Sequence, residues 1–136
     1  MKILIIGLGS IGKRHLRILQ SEKGLELAAL RTTKGHFNKA EKSIIEVYSE
    51  QEALVFKPDG IIISNPTSLH VSRALNFVEG GAKFLIEKPL SHSLRDASLL
   101  KRYSSQIRVA YCFRFLRLYS FLEKLFANDR PYKLNF

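Results

Sequence analysis

Apolar residues gather in short runs, some broken by a single charge, and the stretches between them are longer and amphipathic or polar. The runs are Ile3 to Ile6, Leu25 to Leu30, the Ile44–Val47 segment, Ile61 to Ile63, Phe84 to Ile86 and the segment from Ile107 to Tyr111. Continuous apolar runs of this length suit strands of a parallel sheet that is covered on both faces. Strands are therefore expected at about 2–6, 25–30, 43–48, 59–64, 83–87 and 107–111. Between the first two, Ile11, His15, Leu16 and Leu19 share or flank one helical face, which predicts a helix over about 11–21 stopped near Gly24. Ser49-Glu50-Gln51-Glu52 is a capping box opening a short helix that Pro58 closes. A helix over 68–79 ends at Gly80-Gly81, and Ser93, with Asp96 in the box position, caps another that runs to about Ser105. Phe115 to Ala127 predicts an unusually apolar helix, and Tyr132 to Phe136 alternates like a strand behind Pro131.

Strands alternating with helices across short turns imply an α/β fold, a doubly wound and mostly parallel sheet of the Rossmann type forming a single domain. Ligands on such sheets sit beyond the carboxyl ends of the strands, where the strand order reverses. The residues that follow each strand are thus the ones that bear on function.

After the first strand comes Gly7-x-Gly9-x-x-Gly12, opening the predicted helix. In this context the glycines have separate tasks. Gly7 permits a tight turn, Gly9 lets backbone approach a pyrophosphate, and Gly12 lets helix and strand lie close. The helix start, with its N–H groups and dipole, then faces the phosphates. After the second strand, an NAD site calls for an acid on the ribose diol, yet no acid occurs between Glu26 and Glu41. Arg31 or Thr32 holds the position, followed by Thr33 and Lys34. Arg31 reads either as a phosphate fork for the 2′-phosphate of NADP or as a solvated loop residue on a protein tolerant of both cofactors. Asn65-Pro66-Thr67-Ser68-Leu69-His70 follows the fourth strand; His70 fits a packing role or a place in the crevice. Glu87-Lys88-Pro89 follows the fifth. A lysine there can hydrogen-bond a substrate hydroxyl and offset charge as a proton leaves; the pair also reads as a surface ion pair.

The chain has 136 residues and a formal charge of +10, with a globular apolar fraction and no run long enough to span a membrane. The charge is scattered and is not interleaved with aromatics, which argues for solvated surface and a bias toward an anionic cofactor, and against nucleic-acid binding. One cysteine, Cys112, excludes an internal disulfide. Met1-Lys2 leading straight into a strand predicts no signal peptide and a cytoplasmic protein. No metal site is expected.

Taken together, Gly7-x-Gly9-x-x-Gly12, Asn65-Pro66-x-x-x-His70, Glu87-Lys88-Pro89 and Tyr111-x-x-Arg114-Phe115, in this order and spacing, resemble the cofactor domain of the Gfo/Idh/MocA oxidoreductases. The resemblance implies an NAD(P)-dependent dehydrogenase acting by hydride transfer on a sugar, sugar-nucleotide or polyol hydroxyl, with NADP favoured by the basic loop. It implies that Gly7, Gly9, Ser10, Ile11 and Gly12 hold the pyrophosphate. Asn65, Pro66 and His70 would line the nicotinamide side, and Glu87 would contact the nicotinamide ribose. Lys88 would serve as the catalytic residue at the reacting hydroxyl, and Arg114 would shape the crevice. Family members carry a second α/β domain for substrate. Residues 1–127 would then be the dinucleotide-binding domain and 128–136 the start of a substrate domain that this chain lacks, leaving catalysis impaired. A non-catalytic nucleotide-binding or assembly module is the alternative. The apolar 115–126 surface predicts a homo-oligomer.

Overall fold

The computed structural model describes residues 1–31, 44–117, 121, 124 and 125, without the side chains of 113 and 114. Thr32, Thr33, Lys34, most of the helix expected over 115–127 and the strand expected over 132–136 lie outside these, as does the Arg114 side chain.

Six strands are described: β1 (Lys2–Ile6), β2 (Glu26–Leu30), β3 (Ile45–Val47), β4 (Gly60–Ile63), β5 (Lys83–Ile86) and β6 (Ile107–Val109). All their pairings are parallel, and their spatial order is β3-β2-β1-β4-β5-β6. This is the doubly wound order, with its reversal between β1 and β4. The crevice at that reversal is where the glycine loop and Asn65 meet.

Side-chain alternation along the strands explains why the apolar runs had to be continuous. Leu4, Ile6, Ala28, Leu30, Ile61, Ile63, Phe84 and Ile86 face one way and pack with Ala53, Val71, Ala74 and Phe77 from the helices. Ile3, Ile5, Leu27 and Ile62 face the other way, against Leu16. The central strands β1, β2 and β4 therefore bury both faces, removing apolar area from water at roughly 25 cal/mol per Å².

Four α-helices are described: α1 (Ser10–Leu19), α2 (Glu50–Val55), α3 (His70–Leu75) and α4 (Leu94–Leu99). They are shorter than the sequence pattern suggests. The segment expected as one helix over 68–79 divides into a 3₁₀ turn at Thr67–Leu69, α3, and a second 3₁₀ turn at Val78–Gly80. Gly81 then stops it with φ at +78°, a conformation that favours glycine. Likewise α4 gives way to a 3₁₀ turn at Lys101–Tyr103. Two caps form as their sequences require. Ser49 accepts from the Glu52 N–H at 3.1 Å and Ser93 from the Asp96 N–H at 3.3 Å. The Glu52 carboxylate reaches back one residue further than a capping box specifies, accepting from the Tyr48 N–H at 2.8 Å.

Candidate functional site

A cleft of about 770 Å³ opens beyond the carboxyl ends of the strands around the reversal. Its centre is the turn from β1 into α1. Gly7 has φ at +93°, and a Cβ there would stand 2.6 Å from the Asn65 backbone nitrogen. A Cβ at Gly12 would stand 2.0 Å from the Gly7 carbonyl oxygen and 2.7 Å from the Ser64 hydroxyl. Both glycines are demanded by protein neighbours. At Gly9, by contrast, nothing lies within 4 Å of where a Cβ would be. Open space at that position leaves room for a ligand.

The N-terminus of α1 is built to receive an anion. Gly9 is its N-cap and supplies no side-chain cap, and its first turn carries no acid. The first N–H groups of a helix lack intrahelical acceptors and carry the positive end of the dipole. Ser10 and Ile11 line the cleft at this point. Just past the end of β4, Ser64 donates its hydroxyl to the Gly7 carbonyl at 2.7 Å, and its backbone N–H donates to the Ile6 carbonyl at 2.8 Å. Ser64 is absent from the site residues the sequence suggests; as the polar residue directly after an apolar strand, its position alone could have marked it. Asn65 lines the cleft beside it, and its buried Oδ1 has no hydrogen-bond partner. An orphaned buried acceptor is uncommon, and here it borders the ligand-sized space. The open Gly9 position, the uncapped helix start and this acceptor together suit a dinucleotide.

One end of the cleft carries two arginines, each paired with a glutamate. Arg31 follows β2, donates its N–H to the Val47 carbonyl at 2.9 Å, and lines the cleft with Tyr48. Its guanidinium meets the Glu46 carboxylate at 3.0 Å, and the Tyr48 hydroxyl donates to the same carboxylate oxygen. The hydrogen bond to Glu46 is the main reason the Tyr48 phenol titrates above its ordinary value. Arg73 of α3 also lines this end, paired with Glu50 of α2, which accepts from the Asn76 side chain at 2.8 Å as well.

The loop after β5 sits along the same edge but outside the cleft lining. Glu87 is anchored by its N–H to the Ile63 carbonyl at 2.9 Å, and its carboxylate lies 2.8 Å from the His15 imidazole. His15 comes from the second turn of α1, so the phosphate-facing helix and the β5 loop are tied directly. The sequence had placed His15 only near an apolar face. Lys88 is exposed at the loop start, ahead of a cis Lys88–Pro89 peptide. His70 is 1% exposed, with one ring nitrogen 2.8 Å from the Asn65 carbonyl and the other 3.0 Å from the Pro89 carbonyl. It braces the β4 and β5 loops against each other and shows no surface to the cleft. The structure therefore brings Gly7, Gly9, Ser10, Ile11, Arg31, Asn65 and Pro66 to one cleft, while Gly12, His70, Glu87 and Lys88 stand behind or beside it.

Among the described residues no group of three or more His, Cys, Asp or Glu is placed to hold a metal, and no helix is long and apolar enough to cross a membrane.

Comparison with known proteins agrees with this geometry. The model of the Gfo/Idh/MocA oxidoreductase family, with an NAD-binding Rossmann fold, matches residues 1–112. Glucose-6-phosphate 3-dehydrogenase of Bacillus subtilis is 26% identical over 137 residues, 94% of this chain and 38% of that protein. The scyllo-inositol 2-dehydrogenase (NAD(+)) of the same organism is 30% identical over 103 residues, 71% of this chain and 30% of that protein. The crystal structure of scyllo-inositol dehydrogenase from Lactobacillus casei, with bound NAD(H) and scyllo-inositol, superposes with a TM-score of 0.78 at 20% identity. That match covers 93% of this chain and 41% of the other, and it supports the fold. The chain thus spans well under half the length of these relatives.

Proposed function

This chain belongs to the Gfo/Idh/MocA oxidoreductase family, and from that premise we propose that it is the dinucleotide-binding part of a dehydrogenase. Its cofactor is NADP, with NAD also accepted, and the reaction is hydride transfer at a sugar, sugar-nucleotide or polyol hydroxyl. The observation that carries this reading is the uncapped, acid-free start of α1 opening onto the cleft at Gly9. The names of the relatives, a sugar-phosphate dehydrogenase and an inositol dehydrogenase, support the substrate class.

In this reading the backbone N–H groups at Ser10, Ile11 and Gly12 hold the pyrophosphate. Arg31, with Thr32 beyond it, meets the adenosine 2′-phosphate, whose planar fork partner a guanidinium is. Asn65 and Pro66 form the wall toward the nicotinamide, and His70 fixes that wall by bracing the loops at both of its ring nitrogens. Glu87 turns one carboxylate oxygen to His15 and keeps the second for the nicotinamide ribose. When bound, the nicotinamide supplies the hydride acceptor or donor. Lys88, exposed at the end of β5, takes or returns the hydroxyl proton at its amine. A substrate domain completing the crevice over Lys88 belongs to the same proposal, as does residues 1–127 being the cofactor domain.

Calorimetric titration with NADPH and NADH tests the cofactor assignment. The chain is expected to bind both, NADPH more tightly. Arg31→Ala is expected to weaken NADPH by about tenfold while changing NADH little. Equal losses for both would remove Arg31 from 2′-phosphate recognition, and no binding by the wild type would favour a non-catalytic assembly module.

We also place a homo-oligomer contact on the apolar surface that includes Phe115, Leu116, Phe121 and Leu125, all exposed in the isolated chain. Light scattering is expected to show a dimer or larger, and Phe115→Glu to shift it toward monomer. A wild-type monomer at high concentration would refute this contact.

A further inference from the structure

The adenosine end of the cleft contains an acid after all. It comes from β3 rather than from the end of β2, because the β2–β3 register sets Glu46 opposite Ala29, one step from Leu30 and Val47. That register brings its carboxylate to 3.0 Å from the Arg31 guanidinium, behind the cleft surface that Arg31 and Tyr48 line. The two side chains are largely shielded, at 16% and 29% exposure. Screening between them is therefore weaker than for a surface pair.

We infer that Glu46 is a positioning residue that sets cofactor choice by restraining Arg31. This inference rests on the dinucleotide reading above. An unpaired guanidinium presents a full positive charge to a 2′-phosphate. A guanidinium paired with Glu46 presents the positive end of a neutral pair, with one donor already committed. A 2′-phosphate drawn to Arg31 also comes close to the Glu46 carboxylate, and like charges at short range oppose each other. The plain 2′-hydroxyl of NAD meets no such opposition. Glu46 thus holds down the preference for the phosphorylated cofactor that Arg31 creates, keeping both cofactors usable. The Tyr48 hydroxyl, donating to the same oxygen, fixes the carboxylate in place.

The test is titration of the full chain with NADPH and with NADH, in the wild type, Glu46→Gln, Arg31→Ala and the double variant. Glu46→Gln keeps the size and a hydrogen bond to Arg31 but removes the charge. It is expected to raise the NADPH-to-NADH affinity ratio by about tenfold. The rise is expected to vanish when Arg31 is alanine, since Glu46 acts through it. A merely structural role would move both affinities together and leave the ratio unchanged. An unchanged or lowered ratio in Glu46→Gln overturns the inference. Should that variant fail to fold, Glu46→Asp draws the acid back by one methylene and is expected to raise the ratio by less; no rise there overturns it equally. If the wild type binds NADH but the ratio is insensitive to Glu46, the dinucleotide reading stands and this inference falls. If the wild type binds neither, both fall.

Discussion

Replacing Gly12 by alanine is expected to destabilise the domain by about 3 kcal/mol, a cost typical of forcing atoms into a filled site, and to lower Tm by about 10 °C. The added Cβ has nowhere to go. It would meet the Gly7 carbonyl oxygen at 2.0 Å and the Ser64 hydroxyl at 2.7 Å. The Gly7 oxygen is backbone, and Ser64 is 8% exposed and hydrogen-bonded to that same oxygen. Relief requires α1 to move away from β1, which would pull Leu16 out of the core it shares with Ile3 and Ile5. Gly9→Ala supplies the contrast. No protein atom lies within 4 Å of its Cβ position, so thermal stability should stay within about 0.5 kcal/mol of the wild type. Dinucleotide affinity should nevertheless fall by about tenfold or more, because the methyl occupies the approach to the helix start. Calorimetric melting and titration of the two variants check this. Equal Tm losses, or an unaffected affinity in Gly9→Ala, would contradict the division of roles.

The second large effect belongs to His70. His70→Leu is expected to cost about 1–3 kcal/mol, since one of the two facing carbonyls, Asn65 or Pro89, loses the ring N–H it accepts from a side chain only 1% exposed. Leucine fills the space, so the loss reads the polar contacts more than a cavity. His70→Gln, with an amide donor of similar reach, is expected to recover part of the stability. Chemical denaturation measures the series. A fully stable His70→Leu would mean that the two loops hold their positions without the brace.

The central strands were legible because they are buried on both faces, and a run such as Ile61-Ile62-Ile63 has few other uses. Gly7 and Gly12 were legible because close packing leaves no substitute for a missing Cβ. Helix lengths were not. Apolar spacing over 68–79 is compatible with α or 3₁₀ turns alike, and only the packing of Val71, Ala74 and Phe77 against the sheet distinguishes them. The site was half legible. Arg31 stands at the cleft as its place after β2 implies, but its partner Glu46 is set by strand pairing, which local pattern does not encode. His15 and Glu87 lie 72 residues apart, and only the finished topology joins them.

The contacts between Gly7, Gly12, Ser64 and Asn65 bear on how this cradle can be re-engineered. The first loop is shaped against the second: Asn65 occupies the volume that forces glycine at position 7, and the Ser64 hydroxyl secures the carbonyl over which Gly12 lies. A graft of residues 7–12 alone into another sheet would bring the shape without the mould. The smallest transplantable unit is the pair of loops after β1 and β4, moved together with the strand ends that set them side by side.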